Sequence, residues 1–285
     1  MTANRKAAGP PAWHGLDRAC PCTIPGMIFR GYENPCGVCR MKLVINADDY
    51  GMRASIDAAV ESLFELGVLR SASLLVTGAS ARDAGAFLGA HPGLGGGLHL
   101  DLDGIFSSAG FGKDDHGRFL VPDIFFEQDD VRSAIHDRTL AQLESFKLMT
   151  GRTPDHLDGH HHAHLFLPVL QIILPLLQRF RVPAIRWFQG FYPTGWQAGA
   201  ARDLIHDAGL ATTKLFFDGV LLPGPQEACS AEVMVHPAMP VAAEEKWRAR
   251  EYAGLADESF RLRLISSGYE PCTFADLAAA PCCCD

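Results

Sequence analysis

Nowhere in this chain does an apolar run approach the roughly 20 residues that a membrane-spanning helix needs. A membrane partner is therefore not expected. Basic charge is short too: 25 Lys and Arg stand against 33 Asp and Glu, a formal net charge of −8. A nucleic-acid partner, which calls for a basic patch, is not expected either. Cysteine is nearly missing from the body of the chain. Cys20, Cys22, Cys36 and Cys39 lie near the start and Cys282, Cys283 and Cys284 at the end, which leaves only Cys229 and Cys272 between. A secreted disulfide framework would not be distributed in this way. No continuous apolar stretch follows Arg5 and Lys6, so no secretory leader is read and cytoplasmic residence is the expectation. A Gly-x-Gly-x-x-Gly turn after the first strand is missing as well, which argues against a dinucleotide-binding sheet.

What is present is enough for one large core: 285 residues, 48% of them apolar. Residues 1–40 are rich in Pro and Gly and read as a disordered extension, translated from upstream of a natural start at Met41. Cys-Pro-Cys followed by Cys-Gly-Val-Cys offers zinc as the alternative there, although Cys-x-Cys matches the usual spacing poorly. Residues 41–278 read as the folded domain and 279–285 as a Cys-rich tail. Within the domain, strand-like and helix-like segments alternate. Strands are expected at 42–47, 72–76, 96–102, 156–162, 184–187, 213–217 and 232–236. Helices are expected at 55–69, 81–88, 130–149, 167–180, 200–208, 243–252 and 258–266. The polar stretch 103–127 reads as a long functional loop. Alternation on this scale means a parallel sheet. Polar residues fall repeatedly at the C-terminal ends of strands, so the expected fold is α/β, a closed (β/α) barrel, with an open doubly wound sheet as the alternative.

Those strand ends carry the chemistry. Leu43-Val-Ile-Asn-Ala-Asp-Asp-Tyr-Gly51 delivers Asp48 and Asp49 where the first strand leaves the core. Adjacent strand residues point to opposite sides, so one carboxylate can bind metal while the other takes a proton. The same four letters, Asp-Asp-Tyr-Gly, also make good turn chemistry. Gly97-Leu-His-Leu-Asp101 places His99 at the same end of another strand. His156-Leu-Asp-Gly-His-His-His-Ala-His164 is the densest signal. Period-two alternation puts His156, Asp158, His160 and His162 on one face, with His161 on the other. Asp158 suits the orientation of a ligand ring, and Gly159 leaves room for another chain or a substrate. So many imidazoles are costly to bury without a metal or a hydrogen-bond network. A surface tract with adventitious metal affinity is the plainer reading. Arg186 ends an apolar run, with Asp48 its natural partner. His236 ends Glu232-Val-Met-Val-His-Pro237. Trp187-Phe-Gln-Gly-Phe-Tyr-Pro-Thr-Gly-Trp196 packs aromatic faces that suit either a sugar or the underside of a barrel rim. One carboxylate and two imidazoles fit a single divalent ion, and ligand chemistry favours zinc.

The segments Ile45-Asn-Ala-Asp-Asp-Tyr-Gly51, Gly97-Leu-His99, His156 to His164 and Glu232 to Pro237 resemble, in order and spacing, the YdjC-like carbohydrate deacetylases. The resemblance runs from Met41 to about residue 275. It implies a barrel of the polysaccharide deacetylase type and a hydrolase that removes acetyl groups from N-acetylated sugars. By the same likeness Asp49, His99 and His160 are the metal ligands, Asp48 the catalytic base and His236 the general acid. Arg186, Asp158, His162, Trp187 and Trp196 are the supporting or substrate-binding residues. The implied ion is magnesium, and a homodimer is left open. Tyr50 stands where Phe is usual in that family and Ala238 where Gly is. The rival readings are the same fold acting on another acylated substrate, such as a hopanoid-pathway glycolipid, and an inactive sugar-binding protein.

Overall fold

In the computed structural model, which describes residues 40–220, 222, 229–241 and 245–279, the first motif is the central strand β1 (Met41–Tyr50). All of it except Lys42 is buried, as a strand covered on both faces must be. The helix α1 (Ala54–Glu65) follows and turns Ile56, Ala59, Val60 and Leu63 inward. Ile56, Val60 and Leu63 each contribute about 1.5–3 kcal/mol on burial. Next come β2 (Ser71–Leu74), α2 (Ala81–Ala90), β3 (Gly95–Leu100), α3 (Asp103–Ser108), α4 (Asp129–Thr150), β4 (Leu157–Gly159) and α5 (Leu167–Phe180). The chain continues through α6 (Gly195–Asp207), β5 (Leu215–Asp218), β6 (Ser230–Val235), α7 (Lys246–Ala256), α8 (Glu258–Ser266), β7 (Tyr269–Pro271) and α9 (Phe274–Ala279).

The strands pair in the order β4-β3-β2-β1-β6-β5, with β7 on the first residues of β1, and every pairing is parallel. Single parallel bridges carry the ring further: Leu157 with Ile185, and Ala184 with Ala211. Ala211 leads directly into β5, whose neighbour is β6. The strands thus encircle a common axis, and the architecture is the expected (β/α) barrel, irregular on the side where bridges replace strands.

Several local expectations give way. The run 156–162 is strand only as far as Gly159; His160–Leu165 is a 3-10 turn. The cause is backbone: His161 (φ 53) and His162 (φ 57) take left-handed conformations that no strand accommodates. The predicted loop 103–127 holds α3, a bridge between Lys113 and Phe119, and a 3-10 turn over Asp123–Glu127. The strand expected at 184–187 is reduced to bridges. Strand β7 and helix α9 went unread because each is too short to show a period. The expectations for Cys20, Cys22, Cys36, Cys39 and the tail cysteines fall outside the described residues.

Candidate active site

Asp48 and Asp49 part company, though not by strand alternation alone. The register of β1 against β2 slips between Ala47 and Tyr50, and Asp49 sits at φ 62. A non-glycine residue in that region is strained and persists only where its surroundings hold it. Asp49 is thereby turned toward the ends of β3 and β4. Its Oδ1 lies 3.3 Å from His99 Nε2 and 3.1 Å from His160 Nδ1, and those two nitrogens are 3.4 Å apart. Burial alone would raise the Asp49 carboxyl, but the His160 and His99 rings beside it hold it well below the carboxylate range.

His99 is oriented from behind. Its Nδ1 meets Asp158 Oδ1 at 2.8 Å; the carboxylate can only accept, so Nδ1 carries a hydrogen, and in the neutral ring the lone pair is on Nε2, facing Asp49. Asp158 also accepts from Ser73 Oγ at 2.9 Å and pairs with Arg186 at 2.9 Å. Against burial, the charges of Arg186 and His99 keep its carboxyl far below the usual range. Burial likewise disfavours charge on His99, yet Asp158 raises it well above an ordinary imidazole.

Asp48 flanks the same imidazole, its Oδ2 4.0 Å from His99 Nδ1. Arg186 clamps it with two bonds of 2.6 Å, and Asn46 Nδ2 donates to Oδ1 at 2.8 Å. The guanidinium, itself fully buried, donates its Nε to Glu232 Oε1 at 2.7 Å. His236 stands just past β6 with Nε2 4.0 Å from Asp48 Oδ2 and its ring partly open to solvent.

The donor set fits a divalent ion. For ligand distances of about 2.1 Å, neighbouring donors stand about 3.0–3.4 Å apart in octahedral or tetrahedral sites, as the three atoms here do. Among the described residues Asp49 Oδ1 is buried without a hydrogen-bond partner. The carboxylates of Asp48, Asp49, Asp158 and Glu232 outnumber the guanidiniums of Arg186 and Arg248 around one cluster. When all are ionised, two negative charges remain, which a doubly charged ion balances while the imidazoles stay neutral.

Other predicted residues go elsewhere. His156 hydrogen-bonds Asp155 and stacks on Phe274 at 4.1 Å. His162 does not share a face with His160. It is edge-on to Phe188 and Phe216, and burial followed by Arg186 pushes it well below the ordinary imidazole range. His164 donates from Nε2 to the Arg186 carbonyl at 3.1 Å. The space beside Gly159 is used by that ring, since a Cβ there would meet His164 Nδ1 at 2.8 Å. His161 turns outward to Asp103, at 3.0 Å, where Lys113 Nζ joins it. Burial opposes, but His161 and Lys113 bring Asp103 down to about 2. The aromatic stretch divides: Trp187 packs against the core. Phe191, Tyr192 and the exposed Trp196 line a cavity of about 1280 Å³ with Phe119, Phe126 and Phe166.

Sequence reasoning passed over Asn46, Ser73, Glu232, Arg248 and Glu251. For Asn46, Ser73 and Glu232 the signal was a polar residue inside a buried strand. For Arg248 and Glu251, on an ordinary charged helix, there was none.

The sequence profile of the family described as YdjC-like protein matches residues 42–265. A carbohydrate deacetylase of Vibrio cholerae serotype O1 is 28% identical over 256 residues, spanning 85% of this chain and 98% of that protein. A carbohydrate deacetylase of Geobacillus stearothermophilus is 26% identical over 262 residues, spanning 82% and 96%. One from Mus musculus reaches 31% identity over 179 residues, 57% of this chain and 56% of its own. Among solved structures, a protein of Enterococcus faecalis V583, provisionally described as a cellobiose-phosphate cleavage protein, superposes with a TM-score of 0.64. It is 23% identical and covers 84% of this chain and 99% of its own, a likeness of fold.

Proposed function

This chain belongs to the YdjC-like family, matched over residues 42–265, and from that premise we propose that it is a metal-dependent carbohydrate deacetylase. Relatives named carbohydrate deacetylase align along nearly their whole lengths. The observation that carries the reading is the convergence of Asp49, His99 and His160 within 3.1–3.4 Å, beside a separately clamped Asp48. Their donor atoms form a group able to hold a metal ion.

What a divalent ion supplies in such a place is Lewis acidity, a polarised carbonyl and water of lowered pKa. The chain's own groups do the rest. Asp48, fixed by Arg186, accepts a proton from the water that attacks the acetyl carbon. Asp158 keeps His99 in the tautomer that leaves Nε2 free. His236, at the open edge of the cluster, gives its proton to the amide nitrogen, which cannot leave as an anion. The carbon–nitrogen bond then breaks, and the products are acetate and an amino sugar. Trp196 and its aromatic neighbours offer flat faces for sugar rings. Imidazole ligands favour zinc, and family resemblance favours magnesium.

Acetate release from diacetylchitobiose, with and without chelator, tests the reading. The native chain is expected to release acetate and to stop when stripped of metal. Asp48→Asn should keep its metal and lose about 100-fold or more in turnover, while His160→Ala should lose the metal itself. Near-native turnover by Asp48→Asn would remove Asp48 as the base.

A further inference from the structure

Helix α7 holds none of the residues singled out from the sequence, yet three of its side chains reach the acid–imidazole cluster. Arg248 donates to Asp49 Oδ2 at 2.6 Å. Glu251 accepts the backbone N–H of His236 at 2.5 Å. Trp247 stands edge-on to the His236 ring, centroids 5.6 Å apart. The Arg248 side chain is only 8% exposed. Its Nε lies 3.4 Å from Glu245 Oε2, and among the described residues neither Nε nor Nη1 has a hydrogen-bond partner. Burying a guanidinium so incompletely satisfied works against folding, which directs attention to what its one strong bond does.

That bond divides the Asp49 carboxylate. Oδ1 faces the two imidazoles and has no hydrogen bond among the described residues. Oδ2 is taken by Arg248. Since Asp49 already sits in a left-handed backbone conformation, its side chain needs an external hold, and α7 supplies it.

We propose that Arg248 is a positioning residue that reserves Oδ2 and so presents a single oxygen of Asp49 to the ion. A one-oxygen carboxylate suits small cations and keeps coordination positions open for substrate. Ca²⁺, which takes carboxylates through both oxygens and wants more ligands, is disfavoured. The inference rests on the reading that Asp49, His99 and His160 hold a divalent ion.

Removing Arg248 also removes a positive charge near the ion, which strengthens binding of every divalent cation alike. A ratio of affinities for two ions of equal charge cancels that effect. The experiment is therefore competition of the full chain with a chromophoric chelator for Co²⁺ and for Ca²⁺. In Arg248→Met the Ca²⁺-to-Co²⁺ affinity ratio is expected to rise about tenfold or more, with a changed Co²⁺ d–d spectrum. Arg248→Lys, which keeps a donor, should stay near native on both. An unchanged ratio in a natively folded Arg248→Met overturns the proposal. The native chain offers a check independent of any variant's folding. On Co²⁺ loading, the infrared splitting of its carboxylate stretches should report a one-oxygen ligand, and a two-oxygen signature overturns the proposal. A native chain that binds neither ion overturns the metal site and this inference together. Native Co²⁺ binding without acetate release sinks the deacetylase reading alone.

Discussion

His164 illustrates how a single residue ties the site to stability. Its ring is buried against the Arg186 carbonyl. Burial, with the Arg186 charge adding to it, pushes the imidazole from 6.5 down to about 3. Below pH 6.5 the unfolded chain takes up a proton that the folded chain refuses. The contribution is therefore complete above the unfolded value and is lost as pH falls toward the folded one. His164→Gln retains a donor for the carbonyl and does not titrate. Urea melts at several pH values should show it losing less stability than the native chain between pH 6.5 and 4 (limits set by the shift to about 3). Equal losses would mean that His164 is not buried neutral. Among the site residues, the positions of Asp48, His99 and His236 at strand ends were legible, since an acid or imidazole closing an apolar run is a local pattern. So was the pairing of Arg186 with Asp48, now seen at 2.6 Å. The split between His160 and His162 was not, because it depends on two left-handed residues that the letters His-His-His do not announce.

At the scale of elements, β3 shows how close packing places the His99 side chain. A Cβ on Gly97 would stand 2.2 Å from the His156 ring, so the ring, which leads into β4, would have to move for any larger residue there. Gly97→Ala is expected to cost about 1–3 kcal/mol through overpacking. His156→Ala in the same chain should recover part of that loss in denaturant melts. If the two changes are simply additive, the contact is not what restricts the position. The apolar-striped α5 and the charged α8 lie where periodicity puts them, while α1, expected at 55–69, ends at Glu65. The elements that went unread are short ones, held by neighbours rather than by their own pattern. Strand β7 exists because Met41, Lys42 and Leu43 offer it a ladder. Helix α7 was expected a few residues early, at 243–252 against the observed Lys246–Ala256. Its contacts to the cluster had no trace in its sequence.

For the whole molecule, the parallel barrel from β1 to α9 carries the core and every residue of the candidate site. Among the described residues no helix is long and apolar enough to cross a membrane. Deleting residues 1–40 should leave metal content and acetate release at native levels. Collapse of folding on that deletion would restore a structural role, zinc included, for Cys20, Cys22, Cys36 and Cys39.

The alternation of strands and helices, the polar ends of the strands and the family they belong to were determined by the sequence alone, because each is written within a few neighbouring residues. The tertiary structure alone decided which atoms meet. Asp49 turns through a left-handed residue and is gripped by a guanidinium 199 positions away. Pairing across that distance depends on how the barrel closes, and no period or spacing along the chain records it.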